Sequence, residues 1–390
     1  MANNAVDAAV ANGCTDAQQP DGSDDSTPPK SESDLSVSDG VDTSATSDNE
    51  PTPTPIGVKL GSDRTVVVFR RDDGKRETIR TRSCLAVSDE SESDDYLASG
   101  EEAETQYPDQ TTYVLSSGLP GDAARAELTE QFFHELCTAH DLPEHSAVVY
   151  AIPMVDDEVG LANLSTLVKA SDIGDVLARG YPESLCGSIP ALSDDLAAME
   201  QIFAAINLGA TTLEACAYRR GEQLSPFSST AATGDTVDHA IVDAIAAETD
   251  GRVELSPVVA RGYKETHADF DSFEPFTDVV SHSDDAEHEF TVEAGVMGPL
   301  ETYLDDVVDE LTAGFFSRLA TEHMRSYQLS LTRPLVVTGG MACIPGLTDE
   351  LASRLSEELD RSVTVVTADD PDLAAAEGAF RIADRLASTH

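Results

Sequence analysis

The spacing of apolar residues changes along the chain and predicts a series of strands and helices. Short runs of apolar and β-branched residues first predict three antiparallel strands joined by tight turns. These strands are Ile56–Leu60, Thr65–Phe69 and Glu77–Arg80. Leu128, Phe132 and Leu136 then recur four residues apart, which predicts an amphipathic helix over 123–139. The uninterrupted apolar run at 147–152 predicts a buried strand.

The elements predicted after residue 152 complete the first structural unit. Helices are predicted at 161–170 and from Pro182 onward, with an extended segment at 175–177 between them. The resulting β-β-β-α-β-α order is that of a ribonuclease H-like domain. An acidic stretch at about 88–109 interrupts the unit, and we expect it to be a surface loop or small insertion.

The second half of the chain repeats this plan. Strands at 203–207 and 213–218 flank a glycine turn at 209–212. The elements predicted after them are helices at 234–247, 299–319, 346–359 and 373–387 and strands at 335–337 and 363–366. Two units that each begin with a hairpin predict a duplicated α/β fold with two lobes. We place the first lobe at 56–190, the second at 191–371, and a closing helix at 372–390 that returns to the first lobe.

The segment before the first strand has a different composition. Residues 1–55 contain eleven acidic residues, one basic residue, Lys30, and no aromatic residue. Such a segment cannot bury enough apolar surface to offset the entropy of ordering it. We therefore predict a disordered acidic tail.

The net charge of the chain argues against some classes of function. The 390 residues include 73 Asp and Glu against 24 Lys and Arg, for a formal net charge of −49. This excess argues against direct binding to nucleic acid, which needs clustered basic residues, and against an anionic membrane surface. The chain has no apolar run of 18 residues to span a membrane and no apparent secretory signal, so we predict a cytoplasmic protein.

The acidity of the chain also indicates the kind of environment in which the protein works. Only five basic residues are Lys, and a carboxylate-rich, Lys-poor surface is tolerated best in concentrated salt. We favour a salt-accumulating, halophilic microbe over an ordinary acidic protein because the excess extends along the whole chain. The six cysteines are widely spaced without a C-x-x-C motif, which favours free thiols in a reducing compartment.

Four glycine-containing segments carry the candidate chemistry. They are Gly57–Val68, Ile206–Tyr218, Gly234–Ile245 and Leu335–Leu351. A hairpin with glycine at its tip presents backbone N–H groups to an anion, and two such hairpins can clamp a phosphate chain from opposite sides. A strand that ends in Gly-Gly before a helix leaves room for a flat adenosine ring, and a helix N-terminus favours anions. Each segment alone is a weak signal, but their order and spacing are specific.

In this order the segments resemble the actin-like ATPase superfamily over Ile56–Leu386. The resemblance implies two ribonuclease H-like lobes that close over ATP and Mg²⁺, with no side chain assigned as a direct metal ligand. The implied nucleotide contacts are Lys59, Gly61, Ser62 and Asp63 in the first phosphate hairpin, Asn207, Gly209, Ala210, Thr211 and Thr212 in the second, Gly234, Asp235 and Asp238 in the connecting segment, Lys264 in the second lobe, and Gly339, Gly340 and Met341 in the adenosine motif. Glu183 falls where the family orients the attacking water, and is the implied catalytic residue.

Two residues depart from the family pattern, which has carboxylates that hold metal-bound waters at both positions. Lys59 stands in the first hairpin and Asn207 in the second. Lys59 could contact phosphate directly, could weaken metal dependence or hydrolysis, or could extend from a strand end toward solvent. Glu183 could instead complement a helix dipole after Pro182, and Lys264 could form a solvated pair with Glu265.

Three classes of actin-like protein compete. A chaperone ATPase needs a peptide-binding domain after the closing helix, for which the chain has no room. Small-molecule kinases usually are longer and carry an acidic base in the substrate pocket, and we find no such motif. We therefore expect a filament-forming cytoskeletal protein that associates with itself, similar to a haloarchaeal actin. The alternatives are a non-polymerising or degenerate nucleotide-binding scaffold, and a small-molecule kinase.

Overall fold

The computed structural model describes residues 52–71, 73–88, 95–192, 200–281 and 287–389. The tail predicted to be disordered therefore lies outside the described residues, apart from its last four positions. Thr54 and Pro55 of these already belong to the first strand, so the ordered part begins slightly before Ile56. No helix in the described ranges is long and apolar enough to cross a membrane.

Strands and helices alternate through the described residues. The strands are β1 (Thr54–Leu60), β2 (Arg64–Arg70), β3 (Arg76–Arg82), β4 (Cys84–Ser88), β5 (Asp95–Ser99), β6 (Thr111–Tyr113), β7 (Ser146–Ile152), β8 (Leu177–Pro182), β9 (Phe203–Leu208), β10 (Leu213–Arg219), β11 (Glu222–Ser229), β12 (Phe276–Ser281), β13 (Glu287–Val292), β14 (Leu335–Thr338) and β15 (Val365–Val366). The α-helices are α1 (Gly100–Gln106), α2 (Ala123–Ala139), α3 (Glu158–Ala170), α4 (Glu183–Leu192), α5 (Gly234–Glu248), α6 (Pro257–His267), α7 (Met297–Asp309), α8 (Ser317–Ser330), α9 (Leu347–Glu358) and α10 (Ala374–Ala387).

The first lobe is built on a five-stranded sheet in the order β3-β2-β1-β7-β8. β1 pairs antiparallel with β2 and parallel with β7, so the central strand is covered on both edges. Its apolar residues, such as Ile56 and Val58, are fully buried. They pack with Phe132 and Leu136 of α2, which is the stripe predicted from the fourfold spacing.

The acidic stretch at about 88–109 is more regular than a surface loop. Where it is described, it forms β5 and α1, and β5, β4 and β6 make a small antiparallel sheet. Ala98 of β5 and Ala103 of α1 are buried together with Cys84 and Ala86 of β4. Two small apolar residues among many carboxylates were too weak a signal to decide between the surface loop and the small insertion that we expected, and the described part is not a loop.

The second lobe repeats the first sheet in the order β11-β10-β9-β14-β15. β9 again pairs antiparallel with the next strand and parallel with a distant one, β14. Helices α5 and α7 pack on it through one large apolar cluster that includes Ile241, Ile245, Leu300 and Leu304. The helix predicted at 299–319 is longer in the structure, since α7 continues through a π-helical turn at 310–316 into α8.

Helix α10 packs on the first lobe, where glycine permits close contact. A Cβ atom at Gly57 of β1 would lie 2.2 Å from the carbonyl oxygen of Ala376. A Cβ atom at Gly378 would lie 1.8 Å from the carbonyl oxygen of Cys186 in α4. Helix α4 in turn packs beside β9 and β14 of the second lobe, through Leu185 among others. The paired helices α4 and α10 therefore join the two sheets at the base of the cleft.

Candidate functional site

The β1–β2 and β9–β10 hairpins have matching tips. The Gly61 N–H donates to the carbonyl oxygen of Arg64 at 3.1 Å, and the Gly209 N–H donates to that of Thr212 at 2.9 Å. In both turns an added Cβ would lie 2.7 Å from the same carbonyl oxygen. Real Cβ atoms do not approach backbone that closely, so both tips need glycine for the same geometric reason.

The two tips meet across the cleft between the lobes. The Ser62 and Thr211 hydroxyl oxygens are 2.8 Å apart and hydrogen-bonded. The Gly118 N–H also donates to the Ser62 hydroxyl, at 2.6 Å. Residues 149 positions apart in sequence are thereby held together.

The cleft contains two neighbouring cavities, of about 610 Å³ and about 70 Å³. The predicted residues that line the larger are Ser62, Asp63, Ala210, Thr211, Gly234, Asp235, Asp238, Lys264, Gly340 and Met341. Those that line the smaller are Lys59, Gly61, Ser62, Asp63, Glu183, Asn207, Gly209, Ala210, Thr211, Thr212 and Gly340. The larger volume is that of a typical ligand pocket.

Gly339 lines neither cavity but shapes the turn beside them. Its φ of +98° lies in the region that favours glycine. A Cβ there would lie 2.4 Å from the carbonyl oxygen of Leu208 in the second hairpin. The Gly-Gly segment after β14 is therefore pressed against that hairpin, which leaves Gly340 facing the open cleft.

The start of α5 brings three of the predicted segments together. An added Cβ at Gly234 would lie 3.2 Å from the Met341 sulfur, 3.3 Å from the Cα of Ala210 and 3.4 Å from the Lys264 Nζ. The Asp235 N–H donates to the carbonyl oxygen of Ala210 at 2.8 Å. The α5 N-terminus, which favours anions, thus lies against the second hairpin at the cavity wall.

Lys264 is buried, so the alternative of a solvated pair is wrong for it. Its Nζ lies 2.5 Å from an Asp238 carboxylate oxygen and donates to the carbonyl oxygen of Gly234 at 2.8 Å. Burial raises the pKa of Asp238 to about 6 despite the attraction of Lys264. This pair fixes α6 against α5 on one wall of the larger cavity.

At the inner end of the cleft, the Glu183 carboxylate contacts one residue from each of the two hairpins. Glu183, the first residue of α4, has its Oε1 3.1 Å from the Lys59 Nζ and accepts a hydrogen bond from the Asn207 side chain at 3.1 Å. Burial disfavours the ammonium form of Lys59, but the attraction and hydrogen bond of Glu183 outweigh it and raise the pKa of Lys59 above its usual value. The strand-end lysine therefore points into the protein and not toward solvent.

Sequence reasoning missed Glu214, which lies beside this group. Its side chain is fully buried in β10, opposite Asn207, and accepts a hydrogen bond from the Met154 N–H at 2.8 Å. Burial, with a smaller contribution from Glu183, raises the pKa of Glu214 to about 8. An acid within the otherwise apolar run of β10 was the signal that could have found it.

Sequence reasoning also missed the arginine residues at the outer rim. Arg261 of α6 contacts Asp63 at 2.7 Å and also pairs with Glu104 of α1. One Arg82 guanidinium nitrogen lies 2.5 Å from an Asp63 carboxylate oxygen, and another lies 3.1 Å from a Glu265 carboxylate oxygen. An Arg64 guanidinium nitrogen lies 2.7 Å from the same Glu265 oxygen. We call these six residues the rim cluster; it links the first lobe to α6 of the second.

The cleft is much less acidic than the chain as a whole. Four basic side chains line the larger cavity, Arg64, Arg80, Arg261 and Lys264, and four acidic ones, Asp63, Asp235, Asp238 and Glu265. The whole chain has three times as many acidic residues as basic ones, 73 against 24. A balanced lining within so acidic a protein suits an anionic ligand better than the remaining surface does.

Comparison with known proteins identifies the family. The model of the Salactin family matches residues 53–387. The chain belongs to the salactin family. Over 336 residues it is 46% identical to salactin of Halobacterium salinarum, an alignment that covers 86% of this chain and 92% of that relative. The predicted resemblance to a haloarchaeal actin is thereby confirmed.

Solved structures confirm the predicted fold class. The crystal structure of MreB5 of Spiroplasma citri bound to ADP superposes with a TM-score of 0.70 and 14% identity, covering 87% of this chain and 98% of that one. The MamK double helical filament superposes with a TM-score of 0.65 and 18% identity, covering 84% and 98%. The chain is an actin-like protein with an actin-like fold.

The side chains at the inner end do not suit the Mg²⁺ that the resemblance implies. Mg²⁺ in nucleotide sites is usually held by one or two carboxylates together with phosphates. Three carboxylates line the smaller cavity, and each is paired with a basic side chain: Glu183 with Lys59, Asp63 with Arg82, and Asp372 with Arg80. Among the described residues no group of three or more His, Cys, Asp or Glu could hold a metal ion.

Proposed function

We propose that the chain binds ATP in the cleft between its lobes and assembles with itself into filaments that depend on nucleotide. The observation that carries the proposal is the contact of Ser62 with Thr211, since it brings the two phosphate hairpins to one cavity. The balanced charge of that cavity and the bound ADP of the MreB5 structure support it. The phosphates would lie between the hairpin tips, and the adenosine beside Gly340 and Met341.

Gly340 offers a test of ATP binding that spares the fold. An added Cβ there meets no heavy atom within 4 Å, and Gly340 lines both cavities. Gly340→Asp therefore places a carboxylate in the cleft, where it repels phosphate, and we expect calorimetry to detect no ATP binding.

The matched control is Gly298→Asp, because Gly298 also faces open space but is exposed on α7 and lines neither cavity. We expect it to bind ATP as the unchanged chain does. Equal ATP affinity of the Gly340→Asp variant and the unchanged chain would refute the adenosine assignment.

For hydrolysis, we propose that Glu183 orients the attacking water. It lines the smaller cavity, next to the hairpin tips where the terminal phosphate would lie. Its pairing with Lys59 neutralises the carboxylate, which predicts slow hydrolysis. That same pair favours the second candidate function, a nucleotide-binding scaffold without turnover.

For assembly, we propose a head-to-tail association that does not close on itself. The MamK structure is a double helical filament, which supports self-association of this fold. A subunit with a net charge of −49 repels its neighbours in dilute salt. We therefore expect filaments with ATP at roughly molar salt, where the Debye length is about 3 Å.

Pelleting and electron microscopy across a KCl series, with and without ATP, test this proposal. Absence of filaments with ATP at every salt concentration would leave the scaffold function. We further propose that the protein works in the cytoplasm, because the five described cysteines, four of them buried, are all free thiols. We propose that its host is a halophile because acidic residues outnumber basic ones by 73 to 24.

A further inference from the structure

The inner end of the cleft contains a positive charge built into the protein. Lys59 comes two residues before the first glycine tip, and its side chain is 14% exposed. It lines the smaller cavity together with Ser62, Gly209 and Thr211 of the two tips. Any phosphate held between the tips therefore lies within the field of this ammonium group.

The carboxylates around Lys59 keep it charged. Glu183 contacts it directly at 3.1 Å, and Asp372 and Glu214 also favour its ammonium form. The protein thus maintains a buried cation despite the cost of desolvating it, which structures tolerate only where partners compensate. The position also fits function, since ammonium groups bind phosphate as compact point charges.

Among the described residues, no carboxylate that lines the smaller cavity is without a basic partner. The three carboxylates that line the smaller cavity are paired with Lys59, Arg80 and Arg82, and the second hairpin presents the neutral amide of Asn207. A divalent ion would have to displace an ion pair to gain a protein ligand, and its charge would be repelled by Lys59. Lys59 thus supplies one positive charge at the position where a phosphate would lie.

On this basis we propose that Lys59 is the resident cation of the phosphate site, so that the cleft binds a nucleoside triphosphate without a divalent metal ion. This inference rests on the proposed function, because it concerns how ATP is held in the same cleft. Glu183 holds the ammonium group beside the hairpin tips, and the terminal phosphate shares that group with Glu183. Lys59 is then a ligand-binding residue and not a structural strand end.

The experiment is calorimetric titration of the full chain with ATP at fixed high KCl, once with EDTA and once with MgCl₂. We expect dissociation constants within about threefold of each other. Lys59→Met should weaken ATP binding in EDTA by about tenfold or more, the loss of one hydrogen bond between charged groups. Lys75→Met is the matched control, since Lys75 is exposed in the β2–β3 turn, and it should bind as the unchanged chain does.

A second variant separates loss of binding from loss of folding. Lys59→Met leaves Glu183 without its cation, whereas Lys59→Met with Glu183→Gln removes both charges of the pair. The double variant should fold, as judged by its thermal melting, and still bind ATP weakly.

Two results would overturn the inference: ATP affinity of the unchanged chain that is lost in EDTA and restored by MgCl₂, or full affinity of the folded double variant in EDTA. Absence of ATP binding by the unchanged chain with either addition would instead refute the proposed function, and the inference with it.

Discussion

The β1–β2 and β9–β10 hairpins differ most at one pair of cross-strand positions. Lys59 lies opposite Val66 in the first hairpin, and Asn207 lies opposite Glu214 in the second. Both hairpins have the same turn hydrogen bond and the same need for glycine. The two hairpins therefore share a backbone geometry but carry different side chains. At this position the first hairpin has the Lys59 ammonium, and the second has the Asn207 amide beside the buried Glu214.

The first prediction removes the group that both hairpins share. Glu183→Ala leaves the Lys59 ammonium buried without its closest counterion and removes one hydrogen-bond acceptor of Asn207. We expect the free energy of unfolding to fall by about 3–5 kcal/mol, the usual cost of breaking a buried ion pair. Urea unfolding at fixed salt measures it.

Adding Lys59→Met to that variant should recover part of the loss, because the unpaired charge is then gone. Simple additivity of the two changes would mean that Lys59 does not depend on Glu183. Glu183→Gln, which preserves side-chain size, should slow phosphate release, and an unchanged release rate would contradict the proposed role in orienting water.

The second prediction concerns the acid found only in the second hairpin. Because the pKa of Glu214 is raised from an ordinary 4.5 to about 8, the fold is stabilised by this group below about pH 4.5 and loses that contribution as the pH rises through about 8. The full change amounts to a few kcal/mol, at about 1.4 kcal/mol for each pH unit. Glu214→Gln should remove it.

Unfolding measured from pH 5 to pH 9 tests this prediction. Glu222→Gln is the control, because Glu222 is an exposed acid on the neighbouring strand β11. We expect the difference in stability between the unchanged chain and Glu214→Gln to shift in favour of the variant up to about pH 8 and to level off above it. A difference independent of pH would show that Glu214 stays ionised throughout.

The third and smallest effect distinguishes the two tips. The Ser62 hydroxyl is hydrogen-bonded both to the Thr211 hydroxyl and to the Gly118 N–H. Of these two hydrogen bonds, the Thr211 hydroxyl takes part only in the one with Ser62. Ser62→Ala should therefore cost about 1–2 kcal/mol of unfolding free energy, and Thr211→Val about 0.5–1 kcal/mol. Thermal unfolding of both single variants and the double variant compares them; a larger cost for Thr211→Val would reverse the inferred order.

Much of the fold could be predicted because its signals are local. Strand periodicity, the glycine tips and the fourfold spacing of α2 depend on residues within a few positions of one another. Helix α6 was not predicted, because its buried face consists of Ala260, Tyr263 and Lys264 while Val258 and Val259 are exposed. The C-terminal end of α8 was missed because, after Leu319, only the polar Ser326 and Ser330 are buried, whereas Met324 and Leu329 are exposed.

The candidate site was predictable as a set of positions but not as a set of pairs. Lys59 and Glu183 were each assigned to the cleft, yet nothing local indicates that they contact each other. The rim cluster is harder still, because Arg261 and Asp63 are 198 residues apart. Such contacts follow from how the two sheets face each other, which no short segment encodes.

The rim cluster has a mechanical consequence. Its members are largely shielded from solvent, with side-chain exposures between 10% and 33%, so dissolved ions screen them less than they screen ordinary surface pairs. Arg261 holds Asp63 and Glu104 together, and Glu265 holds Arg64 and Arg82. Separating the lobes at this edge therefore breaks four ion pairs together.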